Sequence, residues 1–260
     1  MKNHAERAEA FHTLHVKGAP LILYNIWDPG SAKAVAAAGA KALATGSLPV
    51  AMAHGSADGE KMPMDLALAN FARIAQSVDL PVTLDFEGAY STDPDIGATN
   101  IVKAIEAGAV GVNFEDQIIG GTGFQSIEDQ SARIAAARAA IDGTGIRGFI
   151  NARTDLFLKA MMAKEPHTSD MLAEAIQRAS AYADAGADGF FAPGLQDIAM
   201  IEQLCAEVSL PVNIIALPGT PANADLAKVG VARISYGPVP YRQMTAWLTE
   251  QAKAVFDGIA

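Results

Sequence analysis

Short hydrophobic runs alternate with longer, alanine-rich stretches along the chain. Each run is hydrophobic almost throughout rather than at every second position, which is typical of strands buried on both faces of a parallel sheet. The sequence predicts eight such strands, at Leu21–Trp27, Ala42–Ser47, Val82–Glu87, Gly111–Asp116, Gly148–Arg153, Gly189–Gly194, Val212–Leu217 and Ala232–Gly237.

The stretches between these runs repeat their hydrophobic residues with a period of about 3.6, which predicts helices. The clearest are Ile96–Ala107, Ile127–Ile141, Ser169–Ala185 and Asp197–Val208. Three helices are predicted to end at the tripeptide Ala-Gly-Ala, where a glycine supplies the left-handed turn before the next strand. These glycines are Gly39, Gly108 and Gly186.

Eight strand-then-helix units with short connections favour an α/β protein of the (β/α)8 TIM-barrel type. The alternative is an open, doubly wound sheet of the flavodoxin or Rossmann type, but such sheets use fewer repeats. No linker, charge block or low-complexity segment divides the chain, so residues 1–260 are predicted to form a single barrel domain. The first twenty residues are predicted to form a helix that caps one end of the barrel.

The composition and net charge of the chain limit the binding partners and the cellular compartment that we expect for it. With a net charge of −10 and a pI near 4.9, the chain lacks the basic surface that nucleic acid requires. Cys205 is the only cysteine, which excludes an internal disulfide and a cysteine-rich zinc site. The charged N-terminal segment does not resemble a signal peptide, and no apolar run approaches the roughly 20 residues of a membrane span. We therefore expect a cytoplasmic protein without membrane or nucleic-acid partners.

Candidate chemistry lies at the C-terminal ends of the predicted strands, where the active sites of such barrels are built. Together with Asp58 from the second loop, the strand ends provide Asn25, Trp27, Asp28, Gly46, Ser47, Asp85, Glu87, Glu115, Asp116, Asn151 and Arg153. The set is rich in carboxylates, which repel one another unless they share a proton or a cation.

A magnesium ion would resolve this repulsion. Asp85 and Glu87 are two positions apart, so their side chains point to the same side of a strand, and Glu115 closes the next strand. Mg²⁺ prefers oxygen ligands and typically keeps several waters with one or two direct carboxylates. We predict a Mg²⁺ site, which Mn²⁺ could also occupy, formed by Asp58, Asp85, Glu87 and Glu115. The alternative is that these acidic residues only cap the helices that follow them.

Two features at the same rim are suited to binding a carboxylate. Arg153 can hold a carboxylate with two parallel hydrogen bonds, although an ion pair with Glu115 or Asp155 is an alternative that can coexist with this role. The turn Gly46–Leu48 can present successive backbone N–H groups to an anion. The predicted substrate-binding residues are Trp27, Gly46, Ser47, Leu48, Asp85, Arg153 and Asn213.

Arg153, Glu115 and Tyr90 are the candidates for catalysis. Tyr90 and Tyr236 are conceivable proton donors, although a tyrosine with a pKa of about 10 is more often a hydrogen-bonding wall residue. No lysine lies within a predicted strand, which disfavours a Schiff-base aldolase. The general acid or base is therefore left open.

Five segments in this order resemble the isocitrate lyase/phosphoenolpyruvate mutase superfamily: NIWDPGSAKAVAAAGAKALATGS, PVTLDFEGAY, AVGVNFEDQ, FINARTDLFL and AYADAGADGFFAPG. The resemblance covers nearly the whole chain. It implies a (β/α)8 barrel whose eighth helix is usually swapped between the subunits of a dimer, often within a tetramer. It also implies that Mg²⁺ and an α-oxo acid or its enolate are bound, and that a C–C or P–C bond is made or broken.

The resemblance assigns roles to particular residues. The superfamily's D-x-D metal motif corresponds to Asp85-Phe86-Glu87, with Asp58 and Glu115 completing the metal site, and glutamate replaces the usual second aspartate. The arginine of its A-R-T-D motif corresponds to Arg153. Its carboxylate-binding turn corresponds to Gly46-Ser47-Leu48, although the superfamily more often has Ser-Gly there.

The gating loop departs from the superfamily. Isocitrate and methylisocitrate lyases carry K-K/R-C-G-H there, with the cysteine as acid or base, and phosphonomutases and phosphonate hydrolases use a lysine and an asparagine. Here the loop, residues Gln117–Phe124, contains no cysteine, lysine, histidine or asparagine. The residues that would bind the metal and the oxo acid therefore resemble the superfamily, whereas the gating loop does not.

The sequence thus predicts a Mg²⁺-dependent carbon–carbon lyase or decarboxylase that acts on a small α-oxo or 2-hydroxy (di)carboxylate, in a homodimer or homotetramer. One alternative is P–C bond chemistry of the phosphoenolpyruvate mutase or phosphonopyruvate hydrolase type, for which the loop offers only Thr122 and backbone amides. Another is a protein that binds an α-oxo acid without turning it over, which the unusual loop favours.

Overall fold

The computed structural model describes residues 3–258, and within that range the chain forms eight parallel strands and eleven helices. The strands are β1 (Leu21–Leu23), β2 (Leu43–Ala44), β3 (Val82–Asp85), β4 (Gly111–Glu115), β5 (Phe149–Arg153), β6 (Gly189–Phe191), β7 (Val212–Ile215) and β8 (Arg233–Ser235). The helices are α1 (His4–Thr13), α2 (Pro29–Ala37), α3 (Ser47–Ala53), α4 (Met64–Gln76), α5 (Pro94–Glu106), α6 (Ile127–Asp142), α7 (Leu156–Ala163), α8 (Ser169–Asp184), α9 (Ile198–Glu207), α10 (Asn223–Lys228) and α11 (Val239–Asp257).

The strands close into a barrel. From β2 to β8 each strand pairs in parallel with the next, and β8 also pairs with β1, with Leu21 opposite Arg233. Between β1 and β2 the connection is an isolated parallel bridge, in which the Ile26 amide donates to the Ala44 carbonyl at 2.9 Å. This arrangement confirms the predicted (β/α)8 barrel and rules out the open doubly wound sheet.

The predicted strands are all present, but several end earlier than expected. β1 ends at Leu23 rather than Trp27, and β6 ends at Phe191 rather than Gly194. The residues beyond these ends leave the ladder to build the rim. After β1, for example, the Asp28 side chain accepts a hydrogen bond from the Ser31 amide at 2.6 Å and caps α2.

The four clearest predicted helices match α5, α6, α8 and α9 to within two residues at each end. The largest difference is at the start of α5, which begins at Pro94 rather than Ile96. The Asp93 side chain accepts hydrogen bonds from the Asp95 and Ile96 amides, both at 3.0 Å, and caps the helix. Proline fits the first turn because the N–H it lacks would have no partner within the helix.

The main hydrophobic core lies between the outer face of the barrel and the surrounding helices. Phe114 and Ile150 from the strands are buried against Ile101 and Ile134 from α5 and α6. At the opposite end from the strand C-termini, the Phe11 ring from α1 meets the Phe149 ring edge-on, with centroids 5.5 Å apart. The N-terminal helix therefore caps that end of the barrel, as predicted.

The inside of the barrel is polar, which the hydrophobic runs did not predict. The Asn113 side-chain carbonyl accepts hydrogen bonds from Asn151 Nδ2 at 2.9 Å and Arg233 Nη2 at 3.0 Å. Asn151 Nδ2 also donates to Asn213 Oδ1 at 3.1 Å. All four side chains are buried, and burial lowers the pKa of Arg233 to about 9. Branched apolar residues usually fill this space, so the network is a departure from the common pattern.

Helix α11 differs from the others because most of its length is exposed. Pro240, in its first turn, is its buried residue, whereas Trp247 and Phe256 are exposed. Among residues 3–258, no helix has both the length and the apolar character needed to cross a membrane.

Candidate active site

A cavity of about 340 Å³ opens at the rim formed by the C-terminal ends of the strands. Its inner end is polar, with side chains contributed by six of the eight strands or by the loops that follow them. These side chains are Asn25, Ser47, Asp58, Asp85, Asn113, Arg153 and Ser235. The location is the one predicted from the strand ends.

Asp85, the last residue of β3, lies at the centre of this polar end. Its Oδ2 accepts a hydrogen bond from the Ser47 amide at 3.0 Å, and its Oδ1 accepts one from Asn113 Nδ2 at 3.3 Å. The Asp85 amide in turn donates to Thr45 Oγ1 at 3.0 Å. The amide of Ser47, predicted to bind a substrate anion, is thus directed at a carboxylate of the protein itself.

Glu87 and Asp58 add two more carboxylates beside Asp85. Burial, together with the charges of Asp58 and Asp85, raises the pKa of Glu87 to about 8. Burial and the charge of Asp85 also raise the pKa of Asp58. The Glu87 Oε2 atom accepts a hydrogen bond from the Glu60 amide at 2.9 Å, which fixes its direction.

Arg153 is the cation of this cluster, and much of its hydrogen-bonding capacity is used. Its Nε donates to Asp155 Oδ1 at 2.6 Å, and its Nη2 donates to Asp155 Oδ2 at 2.8 Å. Its Nη1 lies 2.9 Å from Glu115 Oε2 and 3.8 Å from Asp85 Oδ1. Both ion pairs considered as alternatives are therefore present. Because a guanidinium carries five N–H groups, two remain for a ligand in the cavity that Arg153 lines.

The donor set fits a hydrated Mg²⁺ ion rather than a closed ligand cage. Among residues 3–258, no three His, Cys, Asp or Glu side chains are arranged to hold a metal ion directly. Mg²⁺ does not need such a cage, because it commonly keeps several waters and takes one or two direct carboxylates. Burial is the main cause of the raised pKa values of Glu87 and Asp58, and the charges of neighbouring carboxylates add to it. A divalent cation beside Asp85 would offset the contribution of those charges.

Tyr90, Trp27 and Asn213 are among the predicted residues that do not line the main cavity. Tyr90 lies behind Asp85, and its hydroxyl donates to the Met62 carbonyl at 3.1 Å. Burial raises the pKa of this hydroxyl, which makes it a poor proton donor at neutral pH. The Trp27 ring packs edge-on against Tyr241, with centroids 5.1 Å apart. Asn213 belongs to the polar network inside the barrel.

The other predicted residues lie at or beside the cavity. Gly46, Ser47, Leu48, Asp58, Asp85 and Arg153 line it. Glu115 is buried and reaches the cavity through its ion pair with Arg153. Glu87 lines a much smaller space, of about 20 Å³, on the far side of Asp85. A volume of this size is sufficient for roughly one water molecule.

The sequence did not point to the residues that hold the turn after β3. Glu87, Ala89 and Tyr90 in this turn have φ values of 50°, 58° and 58°, a left-handed conformation that is costly for residues other than glycine. Glu60 Oε1 accepts a hydrogen bond from the Tyr90 amide at 2.8 Å.

Arg133, on α6, also supports this turn. Its Nη2 donates to the Gly88 carbonyl at 2.6 Å and to the Ser91 carbonyl at 2.9 Å. Arg133 and Glu60 therefore stabilise the turn that positions Glu87. No local motif links these two residues, since they are far apart in the sequence.

The gating loop, Gln117–Phe124, forms a compact turn beside the site. The Ile118 amide donates to the Gly123 carbonyl at 3.3 Å, and Gln117 and Phe124 form an antiparallel bridge. Ile119 packs next to Gly88, close to the turn after β3. The loop lines pockets beside the main cavity rather than the cavity itself.

Comparisons with known proteins agree with this arrangement. Residues 11–256 match the family described as phosphoenolpyruvate phosphomutase. A crystal structure from Burkholderia cenocepacia J2315, provisionally described as a phosphonomutase, is 47% identical, covers 97% of this chain and 99% of its own, and superposes with a TM-score of 0.93.

Two curated relatives extend the comparison. An uncharacterised protein of Mycobacterium tuberculosis, MT2054, is 35% identical over 96% of this chain and 90% of its own length. An oxaloacetate decarboxylase of Pseudomonas entomophila is 25% identical over 92% of this chain and 81% of its own length. These relatives therefore align with more than nine-tenths of this chain.

Proposed function

Since the chain belongs to the phosphoenolpyruvate phosphomutase family, within the isocitrate lyase/phosphoenolpyruvate mutase superfamily of Mg²⁺-dependent lyases and mutases, we propose that it is a carbon–carbon lyase or decarboxylase. Its substrate would be a small α-oxo or 2-hydroxy (di)carboxylate. The observation that carries the proposal is the joint presence of Asp85 and Arg153 in one cavity, among carboxylates with raised pKa values.

The chain's oxygen donors are suited to a hydrated Mg²⁺ ion. Asp85 would bind it directly, and Asp58, Glu87 and Glu115 would hold its waters. When bound, the ion supplies Lewis-acid chemistry, withdrawing electron density from the oxo group and stabilising negative charge that develops as the adjacent bond breaks.

The substrate carboxylate would be oriented by Arg153. Two N–H groups of its guanidinium remain for the substrate in the cavity that Arg153 lines, while Asp155 and Glu115 hold the side chain in place. A group held by such contacts needs little rearrangement when the substrate binds. Loss of carbon dioxide or of an oxo acid, with the bonding electron pair left on the enolate, would then proceed with the substrate already aligned.

The gating loop and Tyr90 offer no proton donor suited to neutral pH. The loop Gln117–Phe124 has no side chain that titrates near neutrality, and the Tyr90 hydroxyl is hydrogen-bonded to Met62 with a raised pKa. A reaction whose proton comes from solvent or from the substrate, such as decarboxylation, is therefore favoured over one that needs a dedicated acid.

P–C bond chemistry is the second candidate, and the 47% identity to a protein with a provisional phosphonomutase description favours it. The loop would have to stabilise the phosphoryl oxygens with Thr122 and backbone amides. Binding of an α-oxo acid without turnover is the third candidate, which the loop composition favours.

Turnover and binding measured together separate these candidates. Oxo acids, 2-hydroxy dicarboxylates and phosphonopyruvate would be assayed for turnover with Mg²⁺, and their binding measured by calorimetry. The Asp85→Ala variant should lose metal-dependent binding and turnover while keeping its circular dichroism spectrum. Asp79→Ala, an exposed acid before β3 at the other end of the barrel, is the matched control. Wild-type binding of metal and ligand by Asp85→Ala would contradict the proposal.

A further inference from the structure

The cavity has an outer half that the oxo-acid group of the proposed substrate, which we call its head, would not occupy. Outside its polar end, the lining is almost entirely hydrophobic. It comes from α7, from the ends of β6 and β7, from the segments that follow β2, β6 and β7, and from the residue before α11. The hydrophobic residues are Leu48, Pro49, Leu158, Met161, Met162, Phe191, Pro193, Ile215, Leu217 and Pro238. From this division we infer that the substrate carries an aliphatic substituent next to its oxo-acid head, rather than a second carboxylate there.

The charges around the cavity support this division. Asp58, Asp85 and Arg153 lie at the inner end, and Arg242 lies exposed at the mouth. Phe191 marks the boundary, because its ring lies 5.7 Å from the Arg153 guanidinium carbon. A second carboxylate in the outer half would lie against hydrocarbon without a buried cation, and burying an unpaired charge is strongly unfavourable.

The hydrophobic wall is unusual for a surface that binds nothing. α7 buries Leu156, Phe157 and Ala160 in the core, and its Leu158, Met161 and Met162 line the cavity. Met162 is 74% exposed. Methionine side chains are flexible and polarisable, so they adapt to alkyl groups of different shapes. The wall is therefore suited to a linear or branched alkyl chain.

The size of the cavity agrees with a substituent of several carbons. A water molecule occupies roughly 30 Å³ in the liquid. On that scale, the 340 Å³ cavity corresponds to about eleven waters, which is more than pyruvate alone would displace. Space remains next to the head group, and hydrophobic residues surround it.

This inference rests on the proposed function, because it takes the polar end as the site of the oxo-acid head. Calorimetry with Mg²⁺ would compare oxalate and pyruvate with 2-oxobutyrate, 2-oxopentanoate and 4-methyl-2-oxopentanoate, and with oxaloacetate and 2-oxoglutarate. We expect the Kd to fall about threefold to fourfold for each added methylene, as its transfer from water to a hydrophobic site implies. We expect the dicarboxylates to bind more weakly than alkyl acids of the same length.

A variant of the wall provides the second test. Leu217→Asn should remove most of the gain per methylene while leaving the Kd of oxalate unchanged. Leu66→Asn, at an exposed leucine on α4 that does not line the cavity, is the matched control and should keep the full gain. If Leu217→Asn and the wild type gain the same affinity for each added methylene, the assignment of this wall is overturned.

The possible failures are distinguishable. If neither oxalate nor any oxo acid binds with Mg²⁺, the proposed function itself is wrong. If oxalate and pyruvate bind but longer alkyl acids bind no better, only the aliphatic assignment is wrong. If dicarboxylates bind more tightly and Arg242→Gln removes that advantage, the outer half binds a carboxylate through the mouth, and the inference is overturned.

Discussion

The side chains around Asp85 are held in place by hydrogen bonds that a substrate does not have to create. The Ser47 amide and the Asn113 side chain each donate a hydrogen bond to one oxygen of Asp85. Arg153 is held by two hydrogen bonds that it donates to Asp155. Arg153 in turn pairs with Glu115 at 2.9 Å. Such prior ordering reduces the entropy that binding must remove, so a small ligand can be held by few contacts.

Replacing Arg153 with lysine should weaken carboxylate binding although the charge is kept. Lysine is a point charge on a flexible stem and cannot reproduce the fork that contacts Asp155 and a ligand together. Because hydrogen bonds to charged groups contribute about 1.5–3 kcal/mol, we expect the Kd of oxalate with Mg²⁺ to rise by about 10- to 100-fold. Calorimetry measures this change. Arg147→Lys, at an exposed ion pair with Glu9, is the control, and an unchanged Kd in Arg153→Lys would exclude the role.

Magnesium affinity should rise with pH because Glu87 must lose its proton. Its pKa of about 8 means that the carboxyl is mostly protonated at neutral pH, and a cation nearby favours the deprotonated form. Binding therefore releases a proton, and affinity should increase by up to about tenfold per pH unit below pH 8 and level off above it. Calorimetric titrations with Mg²⁺ from pH 6.5 to 9 measure the slope, which Glu87→Gln should reduce. A flat profile in the wild type would contradict this.

Part of this site could be predicted from the sequence. The strand-end rule and the spacing of Asp85 and Glu87 identified the acidic centre, and Arg153 was predicted at the same rim. The clamp formed by Arg133 and Glu60 was not predicted, because its partners are backbone carbonyls and amides, which leave no trace in residue type. Asn213 was predicted to bind substrate, yet it faces the barrel interior, since its side-chain direction depends on strand register.

At the level of elements, hydrophobic runs and helical periodicity were sufficient to predict the barrel. The runs located all eight strands because most strand residues are covered on both faces, although Ile22 in β1 is exposed. The helix limits were less exact, since α5 begins at Pro94, where Asp93 caps it, rather than at the predicted Ile96. The polar interior was missed because a single Asn or Thr inside a hydrophobic run does not reveal which face it occupies. Pairing of neighbouring strands brings Asn113 opposite Asn151, which depends on tertiary register.

The gating loop leads to a negative prediction. We expect no useful cleavage of isocitrate or methylisocitrate, because retro-aldol cleavage leaves a carbanion that must be protonated. General acid catalysis of such a step typically raises the rate by about 10²–10⁴-fold. Gln117 and Thr122 have no pKa near neutrality. Lys159 on α7 contacts the outer side of the loop, 3.5 Å from the Gly123 carbonyl, and does not line the main cavity.

Glyoxylate release from both substrates with Mg²⁺ measures this directly. Cys205 is not an alternative donor, because it is buried on α9 and burial raises its pKa to about 11. Cys205→Ala should therefore leave any activity unchanged. Turnover of about 1–10³ s⁻¹, as in ordinary enzymes, would show that the loop does not limit this chemistry.

On the scale of the whole molecule, the closed barrel explains why function is confined to one rim. β8 pairs with β1, α1 covers the opposite end with Phe11, and the core fills the space beneath the helices. The strand C-termini are thus the open end, and the cavity lies there. Whether residues 1–260 act as one independent domain remains a prediction, to which the continuous core between the strands and the helices adds support.

Helix α11 should mediate assembly into a homodimer or homotetramer. Beyond its first turn it is largely exposed, with Trp247 at 60%, Leu248 at 54%, Val255 at 61% and Phe256 at 69% exposure. Hydrophobic residues concentrated in this way on one helix are typical of a protein interface, since exposing them to water is unfavourable.

Light scattering coupled to size-exclusion chromatography should therefore give at least a dimer at micromolar concentration. The double substitution Trp247→Glu and Phe256→Glu should shift the mass toward the monomer, whereas Ile96→Glu, at a residue on α5 that is 55% exposed, should not. A wild-type monomer under these conditions would refute the assembly and leave the exposed face of α11 without a role.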